Sequence, residues 1–183
     1  MSEPRNTRER IQQIAIELFN EQGYDRTSLR EIAEELGVTK AALYYHFKTK
    51  EDIAASYFDD FLGQVEKLQL WAEEQPNTMP TRHEILRRYA SILHSHAQTL
   101  KFMHQNMPAL RHLDRGDCFK SRMRQLQRLL MPSEPDAKQR LRAIDAIMTM
   151  HMAWFLEVED HTPEQLSEPA LEIARELVTT NGE

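Results

Sequence analysis

Cysteine is almost absent from this sequence, and its scarcity excludes several kinds of stabilisation and chemistry. Cys118 is the only cysteine among 183 residues, so it has no partner for an internal disulfide. The histidines do not compensate, because none has another histidine four residues away and His94 and His96 point to different sides of a helix. We therefore expect no metal site and no redox role for Cys118.

Long apolar runs are also missing. No stretch approaches the roughly 18 consecutive apolar residues of a membrane span. Residues 1–10 are polar and charged, without the apolar segment that is typical of a secretory signal. These two absences predict a soluble, cytoplasmic protein with no membrane partner.

Glycine is scarce as well, with five in the whole chain. Few positions are therefore available for the glycine-rich loops that bind phosphate groups. The motifs Gly-x-Ser-x-Gly and His-Glu-x-x-His do not occur, and no nucleophile with a neighbouring base is evident. Four acidic residues outside any motif are typical of a solvated surface: Asp114, Asp117, Glu157 and Glu159. We predict that the chain is not an enzyme and needs no cofactor.

What the sequence does contain is helical periodicity. Its first apolar stripe consists of Ile11, Ile14, Ala15, Leu18 and Phe19, which share one face of a helix. The same pattern predicts further helices at 28–36, 39–46, 50–74, 82–97, 99–106, 108–130, 139–157 and 163–179. Alternating segments typical of strands are few, so the sequence predicts an all-α fold.

The distribution of charge bears on nucleic-acid binding. The formal net charge is -6, which would oppose DNA if it were spread evenly. Residues 1–50 carry eight basic and eight acidic side chains, so the excess negative charge lies in the remainder of the chain. The face that meets DNA matters more than the total charge, and this asymmetry mildly favours an N-terminal DNA-binding region.

The helices predicted at 28–36 and 39–46 form a candidate helix-turn-helix. They are joined by Gly37 and Val38, a tight turn of the kind that this motif uses. Thr27 is the predicted N-cap of the first helix and Thr39 that of the second. The second helix of such a unit enters the major groove.

The exposed residues of this motif are candidates for DNA contact. Those at the start of the second helix are expected to meet base edges, and Lys40 can donate to guanine; they are Thr39, Lys40, Ala41 and Ala42. Those around them are candidates for phosphate contact: Thr27, Ser28, Arg30, Tyr44, His46, Lys48 and Lys50. Tyr45 either belongs to this surface or packs in the core, whereas Phe47 is predicted to be core.

The run Thr27-Ser28-Leu29-Arg30-Glu31-Ile32-Ala33-Glu34-Glu35-Leu36-Gly37-Val38, followed by Ala42-Leu43-Tyr44-Tyr45-His46-Phe47-Lys48-Thr49-Lys50-Glu51, resembles the DNA-binding domain of TetR-family repressors. The resemblance covers about residues 8–53. The rest of the chain is similar to the family only in length and helical character.

The resemblance implies an all-helical homodimer that blocks transcription and leaves double-stranded operator DNA when a small-molecule effector binds. It implies a three-helix helix-turn-helix domain at residues 1–50 and a larger ligand-binding and dimerisation domain at 51–183. By position, the residues facing the operator bases and adjoining backbone are Lys40, Ala41, Ala42 and Tyr44. The helices predicted at 139–157 and 163–179 would pair with a second subunit as a four-helix interface.

Methionines and aromatic residues collect in the later helices and suggest an effector pocket. Methionine adapts to varied apolar ligands, although it also simply fills cores. We expect a mostly apolar pocket with a few polar groups, and its candidates are Arg88, His94, Phe102, Met103, Met107, Met123, Met148, His151, Met152 and Phe155. The alternative to a DNA-binding regulator is a helical interaction module that has lost DNA binding, which the neutral balance of residues 1–50 leaves open.

Overall fold

The computed structural model describes residues 4–106, 116–155 and 160–179, and most of them lie in helices. In chain order the helices within these ranges are α1 (Pro4–Gln22), α2 (Leu29–Leu36), α3 (Lys40–His46), α4 (Lys50–Glu73), α5 (Met79–Ser95), α6 (Ala97–Gln105), α7 (Gly116–Leu129), α8 (Ala137–Phe155) and α9 (Pro163–Val178). The predicted all-α fold is confirmed. None of the described helices is long and apolar enough to cross a membrane.

Short polar side chains determine where several helices begin. The Ser28 hydroxyl accepts a hydrogen bond from the backbone N–H of Glu31, and the Glu31 carboxylate accepts one from the N–H of Ser28. This reciprocal capping box satisfies two backbone donors that the first turn of α2 leaves free. Thr49 and Asp52 make the same arrangement at α4.

Some predicted helix boundaries were wrong. α5 begins at Met79 rather than at residue 82, because Pro80 lies in the first turn, where its missing N–H costs no helical hydrogen bond. The break before α6 falls at His96, two residues earlier than predicted. Of the helix predicted at 108–130, residues 108–115 lie outside the described part of the chain.

Two clusters of buried side chains hold the helices together. The N-terminal core joins α1, α2 and α3 to the first turns of α4, including Ile53 and Tyr57, and to Phe102 and Met103 of α6. The C-terminal core joins the second half of α4 to α5, α7, α8 and α9, and it also takes Leu100 from α6. Since α4 and α6 contribute to both cores, the N-terminal core reaches beyond residue 50, and the domain limit at that residue stays a prediction.

Candidate nucleic-acid interface

The turn between α2 and α3 depends on the backbone of one glycine. Gly37 ends α2 with φ 68° and ψ 31°, in the left-handed region that glycine adopts most easily. Its N–H donates to the carbonyl of Glu34 and that of Val38 to the carbonyl of Ala33, so the last turn of α2 is closed. The chain then enters α3 within two residues, which is the connection of a helix-turn-helix.

α3 is anchored on one side and open on the other. Leu43 is fully buried, and Phe47, just past the end of the helix, is buried beside it in the N-terminal core. Thr39 caps the helix by accepting a hydrogen bond from the N–H of Ala42 at 3.2 Å. The opposite face presents Lys40, Ala41 and Ala42 to solvent, and Tyr45 is 79% exposed. A slim, capped helix on a fixed base therefore offers small and basic side chains to a partner.

The three lysines of this region have different surroundings. The Lys40 ammonium lies 5.4 Å from the centroid of the Tyr44 ring. The Lys48 ammonium donates to the carbonyl of Tyr44 at 2.6 Å while remaining exposed. The Lys50 ammonium donates to the carbonyl of Tyr24 at 2.9 Å and lies 4.4 Å from that ring's centroid. Lys50 therefore ties the start of α4 to the loop after α1, in addition to any role toward phosphate.

One cation near α3 was not among the predicted contacts. The guanidinium carbon of Arg8 lies 5.0 Å from the centroid of the Phe47 ring, so the start of α1 places positive charge beside the end of α3. Basic residues cluster both at the start of the chain and in residues 40–50, and this pattern could have indicated that Arg8 lies near α3.

Two of the three acidic residues of α2 have partners on or next to the same helix. Glu31 is held in the capping box, and the hydroxyl and backbone N–H of Ser28 lower the pKa of its carboxyl. Glu34 accepts a hydrogen bond from Arg30 at 2.7 Å, and both side chains are exposed. Arg30, a predicted phosphate contact, is thus paired with Glu34 in this structure.

Thr27 is the one predicted DNA contact whose side chain the structure contradicts. It is 2% exposed, and its hydroxyl donates to the carbonyl of Gly23 at 3.0 Å. The prediction that Thr27 caps α2 was wrong for the same reason, since the hydroxyl turns inward to close the end of α1 and Ser28 takes the cap. Ser28 itself is exposed at the first turn of α2.

The predicted effector-pocket residues that the structure describes lie in several different places. Phe102 and Met103 belong to the N-terminal core, where the Phe102 ring stacks on Phe19 with centroids 5.2 Å apart. The face of α6 that bears these two side chains packs on α1, and their assignment to an effector pocket stays a prediction. Met107 lies outside the described residues.

The other candidates fall into separate places. The Arg88 guanidinium carbon lies 3.6 Å from the Trp71 ring centroid and pairs with Glu84. His151 is buried in the C-terminal core and hydrogen-bonds Tyr89. The remaining predictions divide as follows: Met123 is in the same core, Met148 and Met152 line a surface groove, His94 contacts Trp154, and Phe155 stacks with His104.

No cluster of three or more side chains suited to a metal ion occurs among the described residues. The prediction of no metal site was made from the spacing of histidine and cysteine along the chain and stays a prediction for the protein as a whole.

The geometry defines a helix-turn-helix protein with an all-helical C-terminal part. Residues 11–57 match the family model described as bacterial regulatory proteins, tetR family. The chain is 40% identical over 68 residues to the HTH-type transcriptional regulator AcrR of Shigella flexneri, covering 37% of this chain and 32% of AcrR. It is 36% identical over 61 residues to the HTH-type transcriptional repressor KstR2 of Mycolicibacterium smegmatis, covering 33% and 30%. The matches thus span about a third of each relative.

The similarity of fold extends much further than that of sequence. The TetR-family transcriptional regulator PfmR from Thermus thermophilus superimposes with a TM-score of 0.74 over 94% of this chain and 99% of its own, at 22% identity. Residues 11–57 therefore match the family that the resemblance of residues 8–53 predicted, and the fold of the chain is that of the solved TetR-family structures.

Proposed function

We propose that this protein is a ligand-responsive transcriptional repressor that binds a near-palindromic operator as a homodimer. The observation that carries the proposal is the open face of α3, where Lys40, Ala41 and Ala42 are exposed above the buried Leu43. In a helix-turn-helix this face lies in the major groove.

The chemistry of the face suits base recognition. Lys40 can donate to the O6 and N7 atoms of guanine, and an alanine methyl can contact the methyl of thymine. Tyr44 is half-buried beside Lys40 and is placed to meet the adjoining backbone. Two small residues let the helix approach the base edges closely.

The electrostatics of the region support DNA over a generic protein partner. Glu34 is paired with Arg30, and Glu31 lies in the capping box with Ser28, so both carboxylates are on α2 and neither is on the open face of α3. Arg8 adds a cation near the end of α3. Positive charge therefore lies beside the open face of α3, although the formal charge of residues 1–50 is neutral.

A second exposed surface supports the homodimer. Large apolar side chains stand exposed along α8 and on α9: Leu141, Ile144, Met148 and Ile173. Beside them runs an apolar groove of about 580 Å³ between the two helices, lined in part by Met152, Leu166 and Pro169. A contiguous exposed apolar surface is typical of an association site, and these are the helices expected to pair with a second subunit.

The test of operator binding begins with selection of bound fragments from the source genome, followed by gel-shift titration on the selected sequence. We expect Lys40→Ala and Tyr44→Ala each to lower specific affinity by about 5- to 150-fold, because each removes a contact worth roughly 1–3 kcal/mol. Lys67→Ala removes an exposed lysine of α4 outside the interface and should bind like the parent. Binding should also weaken steeply with added salt.

Unchanged affinity in both α3 variants would contradict this use of the helix. Failure to select any fragment at low salt would instead favour the helical interaction module.

The dimer is tested by sedimentation equilibrium. Met148→Glu places a charge in the apolar groove and should give a monomer, since an unpaired charge is costly to bury. The matched control is Leu70→Glu, because Leu70 is 57% exposed on α4 and lies outside the groove. A monomeric parent, or a dimer that Met148→Glu leaves intact, would overturn the assignment of this surface.

A further inference from the structure

A cleft of about 750 Å³ lies where α6, the end of α8 and the start of α9 meet. Its lining includes Lys101 and His104 of α6, Trp154 and Phe155 of α8, and Pro163 and Glu164 of α9. The volume falls in the range of about 300–1,000 Å³ that is typical of sites for small molecules. We call it the aromatic cleft.

The cleft has flat apolar walls. The His104 and Phe155 rings stack nearly parallel, with centroids 4.9 Å apart and planes 13° from one another. The Trp154 ring contacts the ring of His94 edge-on, with centroids 5.9 Å apart and planes at 69°. Preset aromatic faces favour a planar ring, which gains from stacked or edge-to-face contact in addition to the area it buries.

The charges of the cleft are not equally available. Glu164 lies in the first turn of α9, where its own backbone N–H, the Thr162 hydroxyl and His94 all lower the pKa of its carboxyl. Lys101, by contrast, forms no hydrogen bond or ion pair with the rest of the described chain. Glu164 thus stays ionised but already has donors at the start of α9, whereas the Lys101 ammonium lacks a partner in the described chain. An anionic group on a ligand would supply that partner.

We infer that the aromatic cleft binds an aromatic carboxylic acid, with the ring against Trp154 and Phe155 and the carboxylate at Lys101. The further claim that this acid is the effector of the regulator rests on the proposed function. The cleft is well placed for that role, because Lys101 is followed directly by Phe102, which packs on Phe19 of α1. The side chain of Asn20 on α1 also donates to Gln98, another residue of the cleft, at 3.0 Å.

Calorimetric titration of the full chain with trans-cinnamate tests the inference. We expect saturable binding, with cinnamamide and hexanoate each about fivefold weaker, because the first lacks the charge and the second lacks the ring. Lys101→Met should weaken cinnamate about fivefold and leave cinnamamide unchanged. Lys138→Met is the matched control: this exposed lysine lies at the far end of α8, roughly 24 Å along the helix from Trp154.

The location is tested by fluorescence in Trp71→Phe, which leaves Trp154 as the single tryptophan of the chain. Cinnamate should change its emission with the same midpoint as the calorimetric titration. Absence of binding, equal affinity for acid and amide, or a Lys101→Met variant with parental affinity would each overturn the inference.

Gel-shift titration of the ligand-free protein separates this inference from the proposed function. Operator binding without cinnamate binding would leave the regulator standing and remove the cleft. Cinnamate binding by a protein that selects no DNA would keep the cleft and remove the regulator.

Discussion

The N-terminal and C-terminal cores of this protein differ in how strictly they require particular residues at particular positions. The N-terminal core lies under elements that each demand a particular residue at a particular position, such as a glycine with φ 68° at residue 37 and a capping box at Ser28 and Glu31. The C-terminal core demands mainly apolar volume, with the buried Tyr89–His151 pair inside it and open clefts around it. Sequence similarity follows this difference, since the family model matches only residues 11–57 whereas the fold of PfmR matches 94% of the chain.

The two regions nevertheless share α6. Leu100 is buried in the C-terminal core and Phe102, two residues later, in the N-terminal core. Phe102 contacts the rings of Phe19, Tyr24 and Tyr57 with centroid distances of 5.2, 5.7 and 6.0 Å. Helix α6, which follows α4 and α5 in the chain, thus completes the packing beneath the helix-turn-helix.

The largest expected effect tests this crossing. Phe102→Ala should lower the free energy of unfolding by about 3–5 kcal/mol, because it empties the centre of an aromatic cluster. Hydrogen exchange should show the loss of protection in α1 and α2 first, although the substituted residue lies in α6.

Leu100→Ala is the matched control on the same helix, with an expected cost of about 2–5 kcal/mol. Its loss of protection should appear in α5, α7 and α8. If both variants lower protection equally throughout, the two cores unfold as one cooperative unit and the comparison between them fails.

The sequence predicted the α2–turn–α3 unit well because each of its signals has a local cause. Gly37 and the apolar stripe with Leu36 and Leu43 specify the turn and the buried side without reference to the rest of the fold. Thr27 and Ser28 were interchanged because both are good cap residues, and only the packing of the α1 end decides which hydroxyl turns inward.

The proposed effector site was harder to predict, because its parts come together only through packing. Phe102 and Met103 have the same residue character as pocket residues, and periodicity alone does not tell which of two cores a helix face meets. Lys101 and His104, which line the aromatic cleft, were passed over for the same reason. Their partners Trp154 and Phe155 are about 50 residues away in the sequence.

The buried Tyr89–His151 pair of the C-terminal core predicts an acid sensitivity of that core. Burial lowers the pKa of His151 from 6.5 to about 4, because the apolar surroundings disfavour the charged imidazolium. Above pH 6.5 the imidazole is neutral in both folded and unfolded chains, and its contribution is fully present. As the pH falls from 6.5 to about 4 the unfolded chain binds the proton first, so stability should fall by roughly 3 kcal/mol at most.

His151→Gln isolates this contribution, because glutamine can still hydrogen-bond the Tyr89 hydroxyl but does not titrate. The difference in unfolding free energy between parent and variant, measured by urea titration at several pH values, should shrink or reverse between pH 6.5 and 4. A difference independent of pH would show that His151 is not the titrating group.

The smallest expected effect compares two glycines, one from the turn and one from α4. Gly37→Ala should cost about 1–2 kcal/mol, because an alanine at φ 68° brings its Cβ close to the following carbonyl. The cost is one of backbone conformation alone, since a Cβ at this position would lie within 4 Å of no atom outside Gly37 and its two neighbours in the chain. Gly63→Ala is equally free of contacts but lies inside α4, so it should stabilise the protein by about 0.4–1 kcal/mol. Urea unfolding of the two variants checks the opposite signs. If Gly37→Ala were neutral, the turn would tolerate a backbone other than the left-handed one. The N-terminal region would then not require glycine at residue 37, and the contrast with the C-terminal region would fail there.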